Sequence, residues 1–321
     1  MKIDKSSNSK SIAGMSLGGG RKENFFFCLL EYFDDEERWF LTSLNQVNEE
    51  SHLSKEEAIT NWIESYELKQ LIVDFPLSKP PCETCDLVCP GIEDCHHPVV
   101  VDVKKRMHHL LVDDQKFIKE NPKKYEQERI DDSMVNYSQN ILEKETHHHI
   151  LSKSFKRKLK KGFIPYWNRP IDFWVWYNYY DQMLQMYNLT YDSFGNVSVM
   201  LLHKFHYLLR HLPRDLQIHE SSVQITLLEL YRAGFISKKN ILELHDNDIV
   251  TLARVRIAKK IEEHLSIFIY NKDLELICKN PKAFESFILA VAGHSLLLNN
   301  KQEIPDFGSK DNSKFIAPLF S

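Results

Sequence analysis

The sequence predicts an α/β protein that carries a cysteine-rich, largely helical insertion, and three observations support this fold class. Strand-like runs fill residues 10–46, a helix and a fourth strand follow, and helical patterns dominate from residue 172 onward. Between these parts, the composition changes to cysteine-rich and then to highly charged. We therefore predict a first part of the main domain at 1–79, an insertion at 80–166 and the remainder of the main domain at 167–321.

The first part of the chain is typical of an antiparallel meander followed by a helix. Strands are expected at 11–17, 24–33 and 38–47, separated by the glycines 18–20 and by an acidic turn. Ser54 and Glu57 have the spacing of a capping box, so we expect a helix to start there and to run to about Glu67.

The later elements follow from apolar runs and helical spacing. The run from Leu71 to Phe75 ends at Pro76, which is typical of a buried strand. A short strand is expected at 216–220. Helices are expected at 172–187, 196–212, 222–232, 248–268 and 281–298.

Composition and charge narrow the function classes. Of the 321 residues, 43% are hydrophobic and 27% are charged, which excludes wholesale disorder. The net charge of −4 gives no global basic field, so any contact with nucleic acid must be local. The polar N-terminus lacks the apolar run of a signal peptide, and the run at 287–298 is interrupted by Gly293 and His294. We expect a cytoplasmic protein without membrane contact, and leave its oligomeric state open.

Cysteines form the sharpest local motif. Four of the six cysteines follow the pattern C-x2-C-x3-C-x5-C: Cys82, Cys85, Cys89 and Cys95. Thiolates at this spacing can converge on one ion, so we expect a structural Zn²⁺ site. An iron–sulfur cluster, a site in which His96 or His97 replaces one thiolate, and reduced thiols without a metal are the alternatives.

Short motifs follow the order of the predicted elements. The four clearest lie at 12–17, 73–78, 168–172 and 283–290, and weaker ones lie at 219–222 and 315–318. Residues 12–17 resemble the first-strand G-h-D motif of one family, and residues 73–78 resemble its fourth-strand D-x-P-L motif. Residues 168–172 resemble the R-x-x-[DE] element of the same family, and residues 283–290 resemble its acidic late helix. This is the domain-of-unknown-function 429 family of predicted nucleases, which has a ribonuclease H-like fold.

The resemblance implies both a fold and a chemistry. The fold is a mixed sheet with a three-stranded meander, a helix and further strands, flanked by helices. The chemistry is phosphodiester hydrolysis assisted by Mg²⁺ or Mn²⁺ bound to carboxylates. The candidate catalytic residues are Asp74, Glu220, Glu285 and Asp172. Asp74 is the strongest, because a carboxylate at the end of an apolar strand is unfavourable unless it is paired or binds a cation.

Ser16 departs from the family pattern, which has an aspartate at this position. A hydroxyl cannot bridge two cations as a carboxylate does, so the resemblance implies a nuclease with reduced or lost activity. The alternative is a non-catalytic scaffold that binds nucleic acid or protein and keeps a structural zinc site.

Nucleic acid is the expected partner, through a local basic and aromatic surface. The basic stretch from Lys153 to Lys161 and Arg169 supply positive charge. The nearby aromatic residues are Trp167, Trp174, Trp176, Tyr177, Tyr179 and Tyr180. We expect most of them to pack in the core and the others to be available for stacking on bases.

Overall fold

The computed structural model describes residues 10–16, 25–47, 54–124, 126–127, 151–189, 205–307 and 314–321, with the side chains of Lys55 and Glu56 left out. The predicted glycine turn at 18–20 lies outside these residues, and the predicted helix at 196–212 is described only from residue 205. The chain divides into two compact units. The first comprises 1–77, 197–302 and 314–321, and the second comprises 78–196 and 303–313.

A mixed sheet forms the centre of the first unit. Its strands are β1 (Ser11–Ser16), β2 (Phe26–Phe33), β3 (Arg38–Gln46), β4 (Gln70–Val73), β5 (Gln217–Ser221), β6 (Ile267–Phe268) and β7 (Phe315–Ile316). Within the described residues their order is β6-β3-β2-β1-β4-β5-β7. Strands β1, β2 and β3 are antiparallel neighbours, as the predicted meander requires, whereas β4, β5 and β7 run parallel to β1. The predicted α/β class with a mixed sheet is therefore confirmed.

Nine named helices accompany the sheet in the described part of the chain. They are α1 (Lys55–Ser65), α2 (Pro98–Glu120), α3 (Lys153–Lys161), α4 (Pro170–Tyr187), α5 (Val223–Arg232), α6 (Lys238–Leu242), α7 (Val250–Leu265), α8 (Asn271–Lys279) and α9 (Pro281–Leu297). The capping box predicted at the start of α1 is confirmed, because Ser54 and Glu57 exchange both of its hydrogen bonds.

The two faces of the sheet bury different partners. On one face, Ala13, Leu71 and other apolar strand residues pack with Ile59 and Trp62 of α1. On the other face, α9 contacts β1, β2, β3 and β4, and it also contacts α5 and α8. Because α9 is covered by the sheet and by helices, it is apolar nearly all round, as a fully buried helix must be.

The region from residue 248 to the start of α9 differs from the sequence prediction. The helix predicted at 248–268 ends at Leu265, where Ser266 takes the left-handed conformation with a φ of 52°. The next two residues, Ile267 and Phe268, form β6 and pair with β3. Helix α8, which was not predicted, connects β6 to α9. A local helical pattern does not reveal the pairing with β3, because β3 lies more than 200 residues earlier.

The second unit starts close to the predicted boundary and ends later. It begins at Ser78, near the predicted residue 80, but it extends to residue 196 rather than 166. Helix α4 belongs to it because α2, α3 and α4 pack on one another. Its aromatic residues Trp176 and Tyr179 are fully buried, so α4 supplies this unit with its core.

No helix in the described ranges is long and apolar enough to cross a membrane.

Candidate functional site

The register of two parallel strands brings Ser16 and Asp74 side by side. Gly14 pairs with Ile72, and Met15 pairs with Val73. The next step along both strands sets Ser16 beside Asp74. Since alternate residues of a strand face the same side, both point to the face that carries α9.

A glycine in β1 allows α9 to approach this position closely. A Cβ atom on Gly14 would lie 2.2 Å from the backbone oxygen of Ser286 and 2.3 Å from the backbone nitrogen of Ala290. Only a residue without a side chain fits there. The close approach sets Glu285, which precedes Ser286 in α9, opposite Ser16.

Asp74 and Glu285 meet at one hydroxyl. The Oγ atom of Ser16 lies 2.9 Å from Oδ2 of Asp74 and 2.8 Å from Oε2 of Glu285. A serine has a single proton, so it donates to only one of the two carboxylates at a time. Ser16 is fully buried, whereas the two carboxylates are partly exposed, so the cluster opens to solvent on the carboxylate side.

Two cationic side chains balance the charge of Glu285. Nζ of Lys282 lies 2.5 Å from Oε2 of Glu285, one helical turn earlier in α9. Arg254 of α7 also acts on this carboxylate: burial lowers the pKa of the Arg254 guanidinium, and the charge of Glu285 opposes that shift. Neither Lys282 nor Arg254 was predicted from the sequence. The i,i+3 spacing of Lys282 and Glu285 was the available signal for the first, whereas the contribution of α7 has no local signature.

Glu220 lies near Asp74 in the sheet but performs a different task. It pairs in register with Val73, so it faces the side opposite to Asp74. Its Oε2 accepts a hydrogen bond of 2.9 Å from the backbone N–H of Leu77. Glu220 therefore holds the turn that follows Asp74, and is a positioning residue for it.

Asp172 belongs to the second unit. It is nearly buried near the start of α4, and its carboxylate accepts hydrogen bonds from the backbone N–H and the guanidinium of Arg169. The same guanidinium donates to Oγ of Ser78 at 3.3 Å. The predicted R-x-x-[DE] element is thus a buried ion pair that caps a helix and ties it to the segment after β4.

The oxygen atoms of the cluster provide some, but not all, of the ligands that a hard divalent cation needs. Mg²⁺ binds to oxygen ligands, usually one or two carboxylates supplemented by water and substrate phosphate, and Asp74 with Glu285 supplies such a pair. No group of three or more His, Cys, Asp and Glu side chains in the described part of the chain is arranged to hold a metal ion. At the cluster, Ser16 stands where a third carboxylate would complete such a group.

The four clustered cysteines lie in the second unit, in the loop between Ser78 and α2. Cys82 and Cys89 are exposed, Cys85 and Cys95 are half-buried, and all are without a disulfide. Burial raises the pKa of the Cys82 thiol, and the neighbouring thiols of Cys95, Cys89 and Cys85 raise it further. All three are therefore close enough to Cys82 to act on it electrostatically.

The basic and aromatic residues of the second unit separate into a buried set and an exposed set. Lys158 is buried with its Nζ 4.6 Å from the ring centre of Trp176, and Lys156 pairs with Asp114 at 2.7 Å. Trp174, Trp176 and Tyr179 are buried, whereas Tyr177 and Tyr180 are half-buried and Trp167 is exposed, so core packing holds for three of the six aromatic residues rather than for most of them. Five of the exposed side chains form what we call the basic-aromatic patch: Arg157, Lys160, Lys161, Tyr166 and Trp167.

Comparison of the chain with models of protein families, with curated proteins and with solved structures gives no match in any of the three.

Proposed function

We propose that this protein is a divalent-cation-dependent phosphodiesterase of the nuclease class, built on a ribonuclease H-like fold. The sheet order supports the fold, because an antiparallel β3-β2-β1 meander continues into the parallel strands β4 and β5. The observation that carries the function is the meeting of Asp74 and Glu285 at the Ser16 hydroxyl. These two carboxylates come from distant segments, at the positions that the resemblance implies.

Asp74 and Glu285 would hold the cation. When bound, a Mg²⁺ or Mn²⁺ ion supplies positive charge that activates water and stabilises the leaving oxygen of a phosphodiester. Ser16 donates a hydrogen bond to one carboxylate and so orients it. Glu220 fixes the turn after Asp74 through the Leu77 N–H, which keeps the Asp74 carboxylate at the strand end.

Ser16 limits the expected activity. With a hydroxyl in this place the cluster has two carboxylates rather than three, so it suits one cation better than two. Lys282 further competes with a cation for Glu285, because its ammonium already lies on the same oxygen. We therefore expect slow, Mn²⁺-favoured hydrolysis.

The test is cleavage of labelled single-stranded, double-stranded and hybrid nucleic acids by the purified full-length chain with Mn²⁺ or Mg²⁺. We expect Asp74→Asn to abolish cleavage, and Asp215→Asn to leave it unchanged. Asp215 is a suitable control because its exposed carboxylate pairs with Lys69 on the surface of the same unit. Absence of cleavage on every substrate, or equal cleavage by the wild type and Asp74→Asn, would refute the proposal.

A second candidate function is a non-catalytic nucleic-acid- or protein-binding scaffold. The charge balance at Glu285 favours it, since Lys282 pairs with this carboxylate and Arg254 adds positive charge that acts on it, both without a bound cation. A scaffold of this kind has no need for a divalent ion at Asp74.

Cation binding separates the two candidates. Under the nuclease proposal, titration with Mn²⁺ detects a site that Asp74→Asn weakens and that Lys282→Met strengthens severalfold, because the competing ammonium is gone. Lys260→Met is the matched control, since Lys260 forms a pair of the same spacing with Glu263 on α7. If neither Asp74→Asn nor Lys282→Met changes Mn²⁺ binding, the scaffold is the better description.

A further inference from the structure

The cysteine loop of the second unit lacks the interactions that normally hold a loop in place. Residues 84–97, all of them described, contain no helix or strand, and residues 85–96 make no backbone–backbone hydrogen bond with any other described residue. Its apolar side chains are not buried either: Val88 is 95% exposed and Leu87 is 54% exposed. Fixing a chain in one conformation costs conformational entropy, and among the described residues neither a hydrophobic core nor a ladder of backbone hydrogen bonds offsets that cost here.

The ends of this loop are nevertheless anchored. The backbone N–H of Cys82 donates to the carbonyl of Pro165 at 3.0 Å, and α2 begins at Pro98. Near its C-terminal end, the Lys104 ammonium donates to the carbonyls of Ile92 and Glu93. The anchored ends keep the four cysteines in one small region, while the segment between them is held by little else.

The thiols themselves are the groups left to cross-link the loop. The four cysteines follow one another at short spacings between Cys82 and Cys95, and none takes part in a disulfide. Four accessible thiols at this density are prone to oxidation unless they are bound. Their number and softness match a closed tetrahedral site, in which no coordination position is open to substrate.

We propose that the four cysteines of this loop bind one Zn²⁺ in a structural tetrathiolate site. Because the side chains are not arranged as a metal-binding group in this structure, binding includes a rearrangement of the loop that gathers the thiolates. The bound ion then supplies the cross-link that hydrogen bonds and apolar packing do not. This inference is independent of the carboxylate cluster, which lies in the other unit.

The nearest alternative ligand is His97, whose buried Nδ1 has no hydrogen-bond partner in the described part of the chain. A site with three thiolates and this imidazole differs from four thiolates in its ligand set, so variants distinguish them. In the proposed site, Cys95→Ser disrupts metal binding and His97→Ala does not.

The experiment measures zinc content and thiol reactivity of the full-length protein, purified under reducing conditions and dialysed. We expect about one zinc per chain, and protection of the four loop cysteines from alkylation until a strong chelator removes the metal. Co²⁺ in place of zinc should give the intense charge-transfer absorption of tetrahedral cobalt thiolate. Cys89→Ser should lose both signals, whereas the neighbouring Val88→Ser should keep them.

Each of several results would overturn the proposal. One is a wild-type protein that retains no zinc after growth and purification with added Zn²⁺, and another is equal zinc content in Cys89→Ser and Val88→Ser. The proposal would also be contradicted by iron and sulfide in place of zinc, or by disulfides between the loop cysteines under mild reduction. So would loss of metal in His97→Ala but not in Cys95→Ser. Circular dichroism tests whether Cys89→Ser, Val88→Ser and Cys95→Ser are folded, so loss of metal is not mistaken for unfolding.

Discussion

Ser16 decides how much charge the carboxylate cluster carries. Its neutral hydroxyl lies between the carboxylates of Asp74 and Glu285, and Lys282 and Arg254 already supply positive charge to Glu285. An aspartate in its place would add a third negative charge in a largely buried position, and the cluster would then need a cation. The identity of this one residue therefore links cation affinity to folding stability.

The first prediction is that Ser16→Asp lowers stability without divalent cation and raises the stabilisation that Mn²⁺ provides. A like charge about 4 Å away near a protein surface costs roughly 4 kcal/mol, so we expect a loss of about 2–4 kcal/mol in the free energy of unfolding in a chelator. Added Mn²⁺ should recover most of it, because the ion binds the folded state alone. Urea unfolding with and without Mn²⁺ measures both effects.

Ser16→Asn is the matched control for this prediction, since it has nearly the size of aspartate but no charge. It should lose stability through packing, and Mn²⁺ should stabilise it no more than it stabilises the wild type, because Asp74 and Glu285 are the carboxylate ligands in both. If Mn²⁺ stabilises the aspartate and asparagine variants equally, the carboxylate placed at position 16 does not bind the cation.

The second prediction concerns His294, which lies in the buried part of α9. Its ring packs edge-on against Trp39 at 4.9 Å between ring centres, and burial lowers the pKa of His294 from 6.5 to about 4. The unfolded chain therefore takes up a proton at a higher pH than the folded chain. Stability from this group is complete above about pH 6.5 and is lost as the pH falls toward 4.

We expect this histidine to account for a loss of roughly 2 kcal/mol between about pH 7.5 and 5, since each pKa unit corresponds to about 1.4 kcal/mol. His294→Phe, which keeps an aromatic ring against Trp39, should lack that part of the pH dependence. Denaturant unfolding of both proteins across this range makes the comparison. Parallel stability curves for the two would contradict the assignment.

At the scale of secondary-structure elements, the contact between β1 and α9 builds the cluster. A Cβ atom on Gly14 would clash with the backbone of α9, which cannot shift without moving the helix. A Cβ atom on Gly293 of α9 would instead contact side-chain atoms of Ile12 and Ile72. The two glycines thus have different reasons to be small. Only the one in β1 sets the distance between Ser16 and Glu285.

The third prediction follows from this difference. Gly14→Ala should lower the free energy of unfolding by about 3 kcal/mol or more, because the helix must move away from the sheet. Gly293→Ala should cost roughly 1 kcal/mol, since side chains can shift and alanine favours the helix. Denaturant unfolding compares the two, and equal losses would show that the backbone contact with α9 is not what requires the glycine.

Elements were predictable where the signal is local. The capping box at Ser54 and the Pro76 stop after an apolar run place α1 and β4 within a few residues of their positions. What the sequence did not reveal depends on pairing between distant segments. Glu220 was a reasonable candidate, yet the face to which it points follows from its register with Val73, and a one-residue shift would reverse it.

At the scale of the whole molecule, the chemistry-bearing residues divide between the two units. The carboxylate cluster lies in the first unit, and the cysteine loop and the basic-aromatic patch lie in the second. Composition alone indicated only that any basic surface had to be local, because the net charge is −4. Under the proposed function, bond cleavage and nucleic-acid affinity thus depend on different residues and can be lost separately.

The last prediction tests that separation. Replacing Arg157, Lys160 and Lys161 of the patch by alanine should weaken binding of single-stranded nucleic acid and reduce its dependence on salt. Each phosphate contact contributes about 0.7 to the slope of log affinity against log salt, so the slope should fall by roughly 2. Fluorescence anisotropy at several salt concentrations measures it, and Asp74→Asn should leave this slope unchanged.

The control removes the same charge elsewhere: Lys259, Lys260 and Lys279, each replaced by alanine, all pair with glutamates on their own helices. If net charge alone governs binding, both triple variants lose affinity equally, because long-range attraction depends on the total charge of the chain. A loss confined to the patch variant would place the phosphate contacts there. If Asp74→Asn also binds nucleic acid normally but does not cleave it, nucleic-acid binding would be assigned to the second unit and bond cleavage to the first.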